Sequence, residues 1–195
     1  MKKLNHLNTK FIGKKLIYHQ EIDSTQLEAK RLIGKGEKEG TIILADYQKQ
    51  GMGTHGRVWN SEKSKNLTFS FFLYPNCPVS YLKNLTVVIA QSMISTIYQL
   101  YGYRLEIKDP NDMMYKGKKI GGILTEVTTN QGIAKNIVIG IGLNVNQVKF
   151  PKELEEIASS LKIEFGAEYD SMRILEEFCN RFETEYGKLI NCRNM

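Results

Sequence analysis

The sequence predicts an α+β fold: a mixed, largely antiparallel sheet flanked by helices. Two features of the residue pattern predict it. Strand-like and helix-like segments interleave along the chain, and the middle carries adjacent strand candidates joined by tight turns. No repeat, low-complexity stretch or linker interrupts them. A length of 195 residues suits one full-sized domain, read as a single unit over 1–195 with its core at about 15–190.

The elements follow in order. Residues 15–20 (KLIYHQ) read as a short strand. At 23–28 (DSTQLE) a helix opens. Thr25 and Glu28 have capping-box spacing, in which a hydroxyl and a carboxylate satisfy free backbone N–H groups. Gly34 and Gly36 end this helix. Residues 40–47 (GTIILADY) form an apolar strand; a glycine-rich loop, a polar link at 60–66 and a strand at 67–74 (LTFSFFLY) follow. Ser80 is the expected N-cap of a long helix ending near Tyr101, because Leu82, Leu85, Val88, Ile89, Met93 and Ile97 recur at helical spacing. Residues 104–107 are extended, 108–112 (KDPND) form a polar turn, and 116–118 (KGK) form a hairpin tip. Strands at 120–127 and 133–141 are joined by the turn TNQG at 129–132; the second is expected to lie exposed, free to pair in a dimer or to dock a partner. Helices are expected at 151–161 and 171–190.

Composition narrows the function classes. Hydrophobic residues at 42% and charged residues at 25% argue against whole-chain disorder. The net charge of +6 suits nucleic acid, an acidic protein or a phosphorylated ligand, and equally suits solubility alone. Cys77, Cys179 and Cys192 are widely spaced with no C-x-x-C, which argues against a disulfide framework or a zinc site and points to a reducing cytoplasm. His6, His19 and His55 form no H-x-x-x-H pair. The N-terminal MKKLNHLNTK precedes no apolar run, so it is not a signal peptide, and no stretch approaches the roughly 20 apolar residues of a membrane span.

The stretch QGMGTHGRVW at 50–59 contains G-x-G-x-x-G and, extended, G-x-G-x-x-G-x-V. A dinucleotide loop must open a helix, but a polar link and a strand follow here. A kinase loop does sit between strands, yet H-R-D, D-F-G and A-P-E are all missing. What remains is either a plain glycine hairpin or a loop that sets Arg57 and Trp59 against a ligand. Further on, Gly121 and Gly122 interrupt an apolar strand just after Lys119, and glycine within a strand marks close approach of a backbone or ligand. A third run, IGIGLNVN at 139–146, repeats strand glycines followed by amide side chains. Three such segments suggest one pocket for an anionic ligand with a flat base.

Four motifs, in order, resemble the catalytic domain of biotin–protein ligases. They are Asp23-Ser24-Thr25-Gln26; Asp46-Tyr47-Gln48 with Gly51-x-Gly53-x-x-Gly56-Arg57-x-Trp59; Lys108-x-Pro110-Asn111-Asp112 with Lys119-Ile120-Gly121-Gly122-Ile123-Leu124; and Gly140-x-Gly142-x-Asn144. The similarity runs from about Leu16 to Tyr186. It implies a fold related to class II aminoacyl-tRNA synthetase cores. It also implies an ATP-dependent ligase that makes biotinyl-5′-AMP and pyrophosphate, then transfers biotin to a lysine of a biotin carboxyl carrier domain, as in acetyl-CoA carboxylase or a related biotin enzyme. ATP and Mg2+ would be the cofactors.

The resemblance assigns roles by position. Lys119 and Arg57 are the catalytic candidates, Lys119 drawing the biotin carboxylate toward the α-phosphate and stabilising charge there. Ser24, Thr25, Gln26, Gln48, Gly51, Met52, Gly53, Trp59, Gly121 and Gly122 are the biotin-binding candidates. Thr54, Arg57, Asn111, Asp112, Lys119 and Asn144 are the adenylate-binding candidates, with Asn144 assigned to adenine or ribose. No direct metal ligand is expected, Asp112 being the nearest candidate to the magnesium of ATP.

Departures from the family pattern matter too. Met52 and Thr54 stand where the family loop usually has arginines, which predicts a looser hold on the intermediate, and Asp109 replaces a usual tryptophan. There is no room before Leu16 for a helix-turn-helix, so DNA binding is not expected. A small C-terminal β-domain is likewise not expected. A monomer or a homodimer fits equally. Rival readings are a lipoate or octanoate ligase or transferase, a catalytically silent biotin- or adenylate-binding module, and a bare RNA- or phosphate-binding domain.

Overall fold

The computed structural model describes residues 3–191, so Cys192 lies outside the described residues. Among these, eight strands form one sheet: β1 (Leu16–His19), β2 (Ile42–Ala45), β3 (Leu67–Leu73), β4 (Cys77–Pro78), β5 (Glu106–Lys108), β6 (Asp112–Tyr115), β7 (Lys118–Asn130) and β8 (Ile133–Leu143). Their spatial order is β1-β2-β3-β8-β7-β6-β5, with β4 added to β8. Only β1 and β2 pair in parallel, because α1 (Thr25–Gly34) crosses over between them; the other pairs are antiparallel. The remaining helices are α2 (Leu85–Tyr101), α3 (Leu161–Phe165) and α4 (Ser171–Asn191). The predicted α+β class with a mixed, mostly antiparallel sheet is what the chain adopts.

Alternation along the strands decides what covers each face. Phe69, Phe71, Ile123, Ile139 and Ile141 point into the larger core, where α2 and α4 pack. Phe178 of α4 meets Phe69 and Phe71 edge-on, with centroids 5.6 and 6.3 Å away. The opposite face is read in three rows set by register. Phe72, Val138 and Glu126 lie side by side, then Ser70, Gly140 and Leu124, then Thr68, Gly142 and Gly122. In the first row Phe72 and Val138 take the apolar side of α1, through Ala29 and Leu32. The other two rows are mostly small, and they leave a hollow.

The N-terminal segment 5–12 is strapped to α4 on the larger-core side. Glu176 accepts from the N–H groups of Asn5 and His6, Asn180 from that of Asn8, and Glu183 from those of Lys10, Phe11 and Ile12.

Several expectations are corrected. Ser24, not Thr25, caps α1: its hydroxyl accepts from Gln26 N–H, while Thr25 turns its hydroxyl inward to Gln48 and Ser70. Ser80 lies within a 3-10 turn (Val79–Leu82), and the long helix starts only at Leu85 after Asn84. Residues 151–157 form turns rather than a helix, because Ala158 bridges to Lys119 and draws the backbone straight; the helix there is the short α3. β8 is not exposed: it is hydrogen-bonded between β3 and β7 at the centre of the sheet.

Candidate functional site

The hollow is a cavity of about 220 Å³. Its floor is Gly140 and Gly142 of β8 with Gly122 of β7, and a side chain packs close over each glycine. A Cβ on Gly140 would lie 2.5 Å from Gln26 Oε1, and one on Gly142 would lie 2.3 Å from Trp59 Cε2. One on Gly122 would lie 3.1 Å from Lys119 Nζ.

The start of α1 builds the end wall. Thr25 and Gln26 are buried there with Gln48. Gln48 Oε1 accepts from Thr25 N–H at 2.7 Å and from Thr25 Oγ1 at 2.9 Å, leaving its NH2 as the free end. Gln26 donates from Nε2 to Glu126 at 2.8 Å, and its Oε1 receives Ser70 Oγ at 3.2 Å. Beneath this wall, Arg31 pairs with Asp23, and its hydrogen bond holds the Asp23 carboxyl below the usual carboxylate range.

The glycine loop 51–59 forms the roof by folding on itself. Met52 faces Val58 in an antiparallel bridge flanked by Gly53 N–H to Arg57 C=O at 2.8 Å and Trp59 N–H to Gly51 C=O at 2.9 Å. In that pattern the N–H groups of Met52 and Val58 point away from each other. Gly51 admits no side chain, since a Cβ would meet the Trp59 carbonyl at 2.3 Å. The turn passes through His55 and Gly56 at φ of 55° and 72°. Arg57 folds back to Thr54 Oγ1 at 2.9 Å. The Trp59 indole lies over Gly142 with its Nε1 buried and without a hydrogen-bond partner among the described residues.

Lys119 is the cation of the cavity wall. Its ammonium pairs with Asp112 at 2.7 Å and lies 5.8 Å from the Trp59 ring centroid. Its backbone is clamped on both sides: its N–H donates to Ile157 C=O at 2.8 Å, and its C=O accepts from Ser159 N–H at 2.9 Å. A β-bulge in the β6–β7 pairing, between the Met113–Gly121 and Met114–Lys119 pairs, resets the alternation just after Lys119.

Most of the expected residues line this cavity; Gly51, Asp112 and Gly121 do not. Gly51 lets the loop close, and Asp112 sits behind Lys119. Gly121 faces the other side of the sheet, where a Cβ would meet Met113 Cε at 2.5 Å. Asn111 donates to the Ile123 carbonyl at 3.2 Å. Asn144 is buried, and its amide donates to Ser159 C=O at 3.0 Å, so its side chain holds the loop beside Lys119. Sequence reasoning missed Thr68 and Ser70, whose alternation with phenylalanines in LTFSFF marks them as facing a different surface. It also missed Phe150, Leu154 and Ile157, which line the cavity from a segment that looks helical in sequence. Among the described residues no group of three or more His, Cys, Asp or Glu side chains could hold a metal ion.

Residues 17–144 match the model of the Biotin/lipoate A/B protein ligase family, well over half of the chain. The chain belongs to that family. It is 37% identical over 182 residues to the bifunctional ligase/repressor BirA of Bacillus subtilis, covering 92% of this chain and 56% of that protein. It is 29% identical over 169 residues to the biotin–[acetyl-CoA-carboxylase] ligase of Mycobacterium tuberculosis, covering 84% of this chain and 59% of that one. Among solved structures, the biotin protein ligase from Aquifex aeolicus in complex with biotin and ATP superposes with a TM-score of 0.79 at 31% identity, covering 91% of this chain and 72% of that chain. The chain thus spans little more than half the length of these curated relatives. No helix among the described residues is long and apolar enough to cross a membrane.

Proposed function

We propose that this chain is the catalytic unit of a biotin–protein ligase. It joins biotin to ATP, giving biotinyl-5′-AMP and pyrophosphate, and passes the biotinyl group to a lysine of a biotin carboxyl carrier domain, that of acetyl-CoA carboxylase or a related biotin enzyme. The observation that carries the reading is the layout of the cavity. An amide-lined end wall and a lysine ammonium flank a floor of strand glycines, under a loop bearing Trp59 and Arg57. Biotin has a polar ureido edge, an apolar ring body and a carboxylate, and this layout presents matching groups.

The chemistry follows from the charges. A biotin carboxylate oxygen attacks the α-phosphorus of ATP, and the bond from that phosphorus to the bridging oxygen breaks, releasing pyrophosphate. Two anions must meet, so a fixed cation between them lowers the barrier. Lys119 supplies it; Asp112 and the backbone clamp at Ile157 and Ser159 hold it in place without removing its charge. Arg57 is more exposed and tied only to Thr54, so it can turn to the phosphates. Met52 and Thr54 offer no cation of their own, which favours a looser grip on the adenylate. Magnesium would enter with ATP and add positive charge at the phosphates. Asp112 lies behind Lys119 and does not line the cavity, so the nucleotide oxygens rather than this carboxylate would hold the ion. In the transfer step a neutral carrier lysine attacks the mixed anhydride and AMP leaves.

The family also includes lipoate ligases. Paired glutamines suit the ureido group of biotin, whereas the dithiolane of lipoate has no N–H to satisfy them. The test is to incubate the protein with ATP, magnesium and either biotin or lipoate, and to measure pyrophosphate and acyl-adenylate. Biotin-dependent release is expected, and Lys119→Ala should cut it by about 10²–10³-fold. Lipoate-dependent release, binding without turnover, or normal turnover by Lys119→Ala would each overturn this reading.

A further inference from the structure

Behind the end wall lies a second layer that none of the roles above uses. Glu126, on β7 in the same row as Val138, reaches α1 with both carboxylate oxygens. Oε2 accepts from Gln26 Nε2 at 2.8 Å, and Oε1 from Lys30 Nζ at 2.9 Å. Gln26 and Lys30 are one helical turn apart, so α1 grips this carboxylate at two points. We propose that Glu126 is a positioning residue: it locks the Gln26 amide in one orientation and so makes the cavity select for a ligand N–H. The inference rests on the biotin reading of the site.

The two ends of an amide differ only in which atom donates. The Nε2 end of Gln26 faces two acceptors, the Glu126 carboxylate and, at 3.4 Å, the Val138 carbonyl. A reversed amide would set oxygen against both. The carboxylate contact is the shorter and is charge-assisted, so it sets the orientation. Gln26 Oε1 is therefore committed to the hollow, over the bare backbone of Gly140.

Proton counting shows how much of Gln26 Oε1 is already taken. Thr25 and Ser70 carry one hydroxyl proton each, yet three contacts draw on them. These are Thr25 to Gln48 Oε1 at 2.9 Å, Thr25 with Ser70 at 2.8 Å, and Ser70 to Gln26 Oε1 at 3.2 Å. Two protons serve two of the three. Because Gln48 Oε1 also accepts from Thr25 N–H at 2.7 Å, the hydroxyl protons can run from Thr25 to Ser70 and from Ser70 to Gln26 Oε1, which leaves one of the two lone pairs of Gln26 Oε1 open to a donor. A ureido N–H supplies one. Gln48, whose oxygen is filled by Thr25, presents its NH2 for the ureido carbonyl. Without Glu126 the Gln26 amide can turn over and present N–H2 to the ligand's own N–H.

The test uses the full chain, with biotin and a biotin methylated on a ureido nitrogen as probes. Glu126→Met keeps the bulk and removes the acceptor; Glu126→Gln keeps an acceptor; Glu126→Ala serves if the methionine variant does not fold. Steady-state pyrophosphate release and calorimetric biotin binding are measured for each. Glu126→Met should raise KM for biotin about tenfold or more, the scale of one hydrogen bond to a charged partner, with kcat within about twofold. Its preference for biotin over the methylated probe should shrink by a similar factor, and Glu126→Gln should restore most of it. Unchanged KM and preference in Glu126→Met would overturn the proposal. So would equal losses of kcat and kcat/KM in both the methionine and glutamine variants, the mark of a merely structural role. A wild-type chain that binds no biotin would instead remove the reading of the site itself.

Discussion

Gly142→Ala tests whether the floor of the cavity sets the position of its roof. Gly142 lies in β8, paired with Thr68 on one side and Gly122 on the other, so its backbone has nowhere to retreat. An added Cβ would sit 2.3 Å from Trp59 Cε2, 2.5 Å from Cζ2 and 2.7 Å from Nε1. Carbon atoms rest in contact at about 3.5 Å, so the shortfall exceeds an ångström. The half-buried indole, carried on a loop, is what must move. It would then lose the glycine floor and its place beside Lys119. Overpacking of this kind costs about 1–3 kcal/mol, and because the ring yields rather than the strand, the cost falls on ligand binding. That corresponds to an increase of roughly 5- to 150-fold in KM for biotin. Trp59 is the sole tryptophan of the chain, so its fluorescence reports the movement alone. The emission should shift to longer wavelength and become more open to acrylamide quenching, while the melting temperature falls by a few degrees at most. Unchanged emission and unchanged KM would refute the reasoning, all the more if the melting temperature dropped sharply.

Two further outcomes follow from the packing and the charges. Phe178→Ala removes a fully buried ring wedged between Phe69 and Phe71 and should destabilise the fold by about 3–5 kcal/mol in urea titration; a loss below about 1 kcal/mol would show that this core refills easily. Arg31→Ala should flatten the acid limb of the stability curve. The Asp23 carboxyl is held low by the Arg31 hydrogen bond, so its contribution is present above the unfolded pKa near 4 and fades as pH falls through the lower folded value. The pair is partly exposed, so the effect should be small and should shrink in salt; melting curves between pH 7 and 3 with no difference between wild type and variant would count against it.

Much of this was legible in the chain because it rests on local constraints. Strand alternation, the glycine pairs and the cluster around Lys119 are short-range signals; the first marked the sheet correctly, and the other two lie where the cavity forms. What could not be read depended on neighbours distant in sequence. The segment PKELEEIASSL has the composition of a helix, yet its end is drawn into a bridge with Lys119, about forty residues earlier. Whether β8 lay at an edge or at the centre was invisible to periodicity, which records faces and not lateral neighbours. Thr25 looked like a cap because its spacing to Glu28 was right, but a buried partner, Ser70, competes for its hydroxyl. Glu126 resembled any solvated strand residue until α1 was laid across it.

The strap of residues 5–12 has a practical side. It crosses α4 on the side of the sheet away from the hollow, tied by Glu176, Asn180 and Glu183. A tag or surface anchor attached to the strap would stand on the face away from the hollow, so the protein could be immobilised there and still be offered the carrier lysine proposed above.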